Sequence, residues 1–148
     1  MNIIQAQNPF FEKYSTPHGT IPFEKIKTEH YEPAIREGIN RHNAEIDAIT
    51  NNPEEATFAN TVAAYEKSGE LLNQVSTVFG NLLSAETNDD MQELAKTIMP
   101  LLSEHGNNIT LNEKLFARIK AVYDQKDQAN LTPEQNKLLE KVYNSFVR

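Results

Sequence analysis

Cysteine and tryptophan are both missing from the 148 residues. Without thiols the chain has no disulfide, no cysteine nucleophile and no thiolate zinc site, and it suits a reducing or an oxidising compartment equally well. Basic charge is scarce too: 14 Lys and Arg stand against 21 Asp and Glu, a formal net charge of −7. That sign opposes the counterion release on which nucleic-acid binding depends, and no cluster of Lys or Arg offsets it. No apolar run approaches the ~18 residues a membrane helix needs. The start, Met1-Asn2-Ile3-Ile4-Gln5-Ala6-Gln7, has neither the basic nor the long apolar stretch of a secretory leader, so a soluble segment, cytoplasmic or periplasmic, is expected. Leu, Ile, Val and Phe supply 36 of 148 residues, enough for a folded chain. The wider apolar set with Gly reaches only 57 of 148, where ~45–50% is typical. The core is therefore thin, or part of it belongs to something absent.

What is present is helical periodicity. Residues 1–27 hold three of the seven prolines and the rings Phe10, Phe11, Tyr14 and Phe23, which predicts an irregular arm pinned across the helices by its aromatics. From there an all-α helical bundle of about five helices is expected over 28–148, as one domain. Tyr31, Ile35, Ile39, His42, Ile46 and Ile49 recur at three- and four-residue steps along a first helix, about 29–50. Thr57 caps a second that runs unbroken to about Glu86, with a seam of Phe58, Val62, Tyr65, Gly69, Leu72, Ser76, Phe79 and Leu83. Gly69, Ser76 and Gly80 read as points of close backbone approach. Asn88 caps a third helix that Pro100 should kink or break near Met99 and that Gly106-Asn107-Asn108 should end. Asn112 caps a fourth, with Leu115, Phe116, Ile119, Val122 and Tyr123 on one face. Thr132-Pro133-Glu134-Gln135 starts a fifth with a reciprocal capping box. The fifth displays Leu138, Leu139, Val142, Tyr143, Phe146 and Val147, an apolar face still running at Arg148, as in a helix cut from something larger.

Catalytic equipment is sparse. The four histidines are His18, His30, His42 and His105, and no two stand one helical turn apart with a Glu after the first, the arrangement common in zinc hydrolases. His30 and His42 are separated by roughly 18 Å of helical rise, too far to share an ion. His42 and His105 lie on apolar faces and read as packed imidazoles. Glu29-His30 and Glu104-His105 are neighbours pointing ~100° apart on a helix, poor acid/base couples. None of Ser15, Ser68, Ser76, Ser84, Ser103 and Ser145 sits in a nucleophile elbow. The scattered glycines form no phosphate loop, and the carboxylates Glu54, Glu55, Asp89 and Asp90 suit helix starts better than calcium. No catalytic, cofactor-binding or metal-ligating residue is assigned to this chain.

Longer strings carry more. Asn8-Pro9-Phe10-Phe11-Glu12-Lys13-Tyr14, Thr16-Pro17-His18-Gly19, Pro22-Phe23-Glu24-Lys25-Ile26-Lys27 and Glu29-His30-Tyr31-Glu32-Pro33-Ala34 resemble the start of bacterial peptidyl-dipeptidases, thimet-oligopeptidase-like zinc metallopeptidases. The resemblance continues through Thr57-Phe58-Ala59-Asn60-Thr61, Glu66-Lys67-Ser68-Gly69-Glu70-Leu71-Leu72, Leu111-Asn112-Glu113-Lys114-Leu115-Phe116, Tyr123-Asp124-Gln125 and Leu131-Thr132-Pro133-Glu134-Gln135. It implies a far longer enzyme whose later part carries His-Glu-x-x-His and a further Glu, binds one zinc and removes C-terminal dipeptides from short unstructured peptides. The N-terminal helices of that family help wall a deep substrate channel. Here the motif is absent, so the segment alone is expected to be inactive and without zinc, with the catalytic part of the same polypeptide as its partner. The running face of the fifth helix predicts self-association or marginal stability of the isolated segment. Two alternatives stand beside this reading: the same part of an oligopeptidase cutting internal bonds, and a free-standing helical module binding a partner helix beside the Phe58 to Leu83 seam.

Overall fold

A computed structural model describes residues 28–85 and 88–147; the arm expected at 1–27, with His18 and Ser15, lies outside them. Among the described residues the secondary structure is all helical. The 3-10 turn Thr28–His30 leads into α1 (Tyr31–Thr50). A π-helical turn, Phe58–Ala63, runs into the short α2 (Ala64–Lys67), followed by α3 (Glu70–Ala85) and α4 (Asp89–Thr110). Then come α5 (Glu113–Asp124), a 3-10 turn at Lys126–Gln128, and α6 (Pro133–Val147). Five of these helices are long, as the periodicity predicted.

Local chemistry sets most of the starts. The Asn88 side chain accepts from the Met91 amide at 2.9 Å and Asn112 from Leu115 at 3.0 Å, each filling an orphan donor of a first turn. Thr132 and Gln135 form the full box: the Gln135 amide donates to the Thr132 hydroxyl at 3.2 Å and the Thr132 amide to Gln135 Oε1 at 2.9 Å. Thr57 does the same with Asn60 in the place of the usual Glu or Gln, at 3.1 and 2.7 Å.

Three interior features differ from the sequence reading. The second helix is not continuous. It breaks at Ser68-Gly69, where Gly69 takes φ +72°, a left-handed conformation that ends a helix and favours glycine. Gly69 is also a close approach, since a Cβ there would sit 3.0 Å from the His42 ring, but Gly80 faces open space and Gly38, unremarked in the pattern, would place a Cβ 2.9 Å from Leu72 Cα. The third helix passes through both Pro100 and Gly106. Lys96, whose carbonyl Pro100 cannot serve, is exposed like Pro100 itself, so water can satisfy that oxygen. The helix is held instead by Met91, Ile98 and His105, buried at seven-residue intervals, and by buried Ile109. It stops where the Thr110 hydroxyl donates to the Gly106 and Asn107 carbonyls, both at 3.1 Å.

The described residues fall into two compact units. The first takes described residues of 28–42 and 69–102, the second those of 43–68 and 103–147. In the first, Tyr31, Ala34, Ile35, Leu72, Val75, Val78, Phe79, Met91 and Ile98 form the core, with the Tyr31 and Phe79 rings 5.4 Å apart. Val75 and Val78 are more deeply placed than the Ser76 and Leu83 of the expected seam. In the second, Ile46, Ile49, Val62, Ile109, Leu115, Ile119, Val122, Leu139 and Val142 are buried together. Leu138, Tyr143 and Phe146 pack against that cluster, so most of the apolar face of α6 is already covered and only Val147, 54% exposed, is left out.

Candidate functional site

The sequence that opens the second unit after α1 has no helical periodicity, and its conformation is written by side-chain hydrogen bonds. The Asn52 side chain accepts from the Glu54 amide at 2.9 Å, turning the chain. Asn60, two residues into the π-helical turn, is the hub: its Oδ1 receives the Thr57 amide at 2.7 Å and the Thr61 hydroxyl at 2.8 Å, while its Nδ2 donates to the Glu55 carbonyl at 2.9 Å. Onto this loop reaches Arg118 from the middle of α5. Its Nη1 donates to the Asn52 and Glu54 carbonyls at 3.2 and 3.1 Å and its Nη2 to Asn60 Oδ1 at 3.2 Å. The planar guanidinium suits this job, because a fork of donors can tie several carbonyls in one plane. Its Nε is buried with no hydrogen-bond partner among the described residues.

A row of half-buried rings lies along α5 and α6. Tyr65 meets Phe146 edge-on at 5.9 Å, Phe146 stacks with Phe116 at 6.1 Å, and Phe116 with Tyr143 at 5.9 Å. Tyr143 lies nearly parallel to Tyr123 with centroids 3.9 Å apart. The Lys126 Nζ sits 4.1 Å above the Tyr123 ring, a cation–π cap. Tyr123, then Glu140 and Asp127, hold the Lys126 ammonium above its ordinary value against the opposing effect of desolvation. Lys120 pairs with Asp124 at 2.8 Å, and that bond raises it likewise. Burial pushes the Tyr65 phenol up, and the charge of Glu66 adds to it. Rings, lysines and paired carboxylates make a surface that can pack or bind.

The histidines are dispersed. His42 is half-buried and its ring lies against Gly69; His105 is 5% exposed. Glu104 is exposed while His105 is buried. Glu29 and His30 do approach, Oε1 to Nε2 at 4.0 Å, although adjacent helical positions diverge. The long, mostly exposed glutamate side chain folds back to the limit of ion pairing, where the contact is worth little. Ser68 and Ser145 donate to the carbonyls of Tyr65 and Val142, each three residues back. Among the described residues no three His, Asp or Glu side chains gather where they could hold a metal ion. No described helix is long and apolar enough to cross a membrane. The sequence pattern did not single out Arg118 or Asn60, for which Thr57-x-x-Asn60 is the one local signal.

An all-helical segment with the strings of bacterial peptidases and no assembled catalytic centre among its described residues is the class these features define. No family model matches the chain. Its relatives are specific nonetheless. It is 40% identical over 142 residues to dipeptidyl carboxypeptidase of Escherichia coli K12, covering 96% of this chain and 21% of that protein. With the dipeptidyl carboxypeptidase of Salmonella typhimurium LT2 the identity is 38% over the same shares. Oligopeptidase A of Salmonella typhimurium is more distant, 22% identical over 139 residues, covering 94% of this chain and 20% of the relative. The resemblance to peptidyl-dipeptidases thus holds along nearly the whole chain, which spans about a fifth of the length of the curated relatives it matches.

Proposed function

We propose that this chain is the non-catalytic N-terminal helical part of a zinc-dependent peptidyl-dipeptidase, walling or gating the channel through which short peptides reach the metal. The observation that carries the reading is the 40% identity to a dipeptidyl carboxypeptidase across 96% of the chain, against 22% to an oligopeptidase A. That difference favours release of C-terminal dipeptides over cleavage of internal bonds. The zinc ligands and the general base belong, on this reading, to sequence beyond the 148 residues. The contribution of the present residues is steric: cores in each unit and the Arg118 clasp hold helices and loop in fixed positions.

Reading the genomic frame past Arg148 tests the proposal. A downstream His-Glu-x-x-His with a further Glu ligand is expected, and a stop codon directly after Arg148 would overturn it. Independently, the 148-residue chain assayed with a fluorogenic peptide and analysed for metal after dialysis should show neither turnover nor stoichiometric zinc. One tightly held zinc per chain with turnover would contradict the assignment.

A further inference from the structure

The row of rings along α5 and α6 contains a pair whose chemistry differs from the rest. Tyr31 packs on Phe79 and Tyr65 on Phe146, so among the described residues Tyr123 and Tyr143 are the tyrosines set ring against ring. Their planes differ by 7° and their centroids are 3.9 Å apart, which is face-to-face contact. The Lys126 ammonium lies 4.1 Å from the Tyr123 centroid, and a ring with Tyr143 against one face has room for it only on the other. Phe116 stacks with Tyr143 at 5.9 Å. It precedes Tyr123 by two turns of α5, roughly 10 Å of rise, so Tyr143 lies between these two rings. Both tyrosines are half-buried, so solvent reaches the edges of the pair.

We propose that Tyr123 and Tyr143 form a site of oxidative cross-linking, at which hydrogen peroxide, acting through a one-electron oxidant of the peroxidase class, couples the two phenols into dityrosine and staples α5 to α6. Each phenol loses an electron to the oxidant and a proton to water, leaving two tyrosyl radicals in contact. The radicals join through a new carbon–carbon bond ortho to each hydroxyl. Each joined carbon then gives up its hydrogen as a proton while the neighbouring oxygen takes a proton back. The two electrons and two protons removed overall reduce one hydrogen peroxide to two waters. Contact between the rings replaces an encounter of two chains by a step within one, which is where proximity accelerates a reaction most. Lys126 and Phe116 favour the same outcome, because neither offers a phenol and each covers a face by which a second chain would approach. The site stands whether or not the chain is part of a peptidase.

Treating the 148-residue chain with hydrogen peroxide and a haem peroxidase, followed by digestion and mass spectrometry, tests the assignment. The expected product is a monomer lighter by two hydrogens, in which the peptides carrying Tyr123 and Tyr143 are joined. Its dityrosine fluorescence per chain should not depend on protein concentration. Tyr123→Phe and Tyr143→Phe, which keep the stacked ring, should each lower that fluorescence at least about tenfold, and Tyr65→Phe should leave it unchanged. Helical circular dichroism equal to that of the parent chain separates loss of the phenol from loss of the fold in these variants. Cross-links that join two chains and grow with concentration, or that fall chiefly on Tyr14, Tyr31 or Tyr65, would overturn the site. So would the absence of dityrosine from the chain under conditions that couple free tyrosine.

Discussion

Replacing Arg118 by alanine removes a side chain that ties α5 to the loop between α1 and the π-helical turn. Three hydrogen bonds from a charged group are lost, two of them to part-buried partners, all at 3.1–3.2 Å. Such bonds are worth about 1.5–3 kcal/mol each in good geometry, and their length and the exposed Glu54 carbonyl put these nearer 1. Against the resulting sum of about 3 kcal/mol stands the Nε, buried without a partner among the described residues, whose desolvation penalty of about 1 kcal/mol is relieved. Alanine is the best helix former, so α5 itself loses nothing. The net cost is about 2 kcal/mol, which for a chain of this size lowers the melting temperature by about 6 °C. Circular dichroism at 222 nm measures the melt. Hydrogen exchange of the Glu54, Thr57 and Asn60 amides, all bonded to side chains of the clasped loop, reports the site directly. Arg118→Lys should recover less than half of the loss, because a point charge cannot reach three acceptors in a fork. A drop of less than about 2 °C in the alanine variant, with the three amides exchanging at their original rates, would refute the reasoning.

The glycines separate close approach from wasted entropy. Gly38→Ala should destabilise by about 1–3 kcal/mol, since its Cβ would meet the Leu72 backbone at 2.9 Å, whereas Gly80→Ala, facing open space in mid-helix, should stabilise by about 0.5–1 kcal/mol; urea midpoints measure both. Thr132→Ala and Thr57→Ala should each cost about 1 kcal/mol by losing a cap, with fraying of the first turn of α6 and of the Phe58–Ala63 turn visible by hydrogen exchange. Burial raises the Tyr31 and Tyr65 phenols above 10.0 in the folded chain, so ionisation is easier unfolded. Their contribution is complete below pH 10.0 and lost as pH rises from there through the raised folded values; absorbance at 295 nm should show tyrosines ionising together with the loss of helical signal.

The helix starts were legible because a cap is a contact between residues two or three positions apart. Thr57, Asn88, Asn112 and Thr132 all bond as their spacing implies. The stripe of α1 was legible for the same reason, as was the Phe116 and Tyr123 face of α5. The clasp at Arg118 was not, since its acceptors stand 58–66 residues away in sequence and two of them are backbone carbonyls, which no residue type announces. Nor was the covered face of α6, where the sequence shows an apolar stripe but not the Val122, Leu139 and Val142 cluster that absorbs it.

Composition, charge and periodicity by themselves settled that the described residues are helical, where the helices capped by Thr57, Asn88, Asn112 and Thr132 begin, and which strings the chain shares with peptidyl-dipeptidases, because those are properties of neighbours along the chain. Whether a helix survives Pro100 and Gly106, or breaks at Gly69, was decided by the tertiary structure alone. Propensity at those positions amounts to about 1–3 kcal/mol, and burial of Ile98 and Ile109 in one case, and a left-handed turn beneath the His42 ring in the other, outweighs or redirects it.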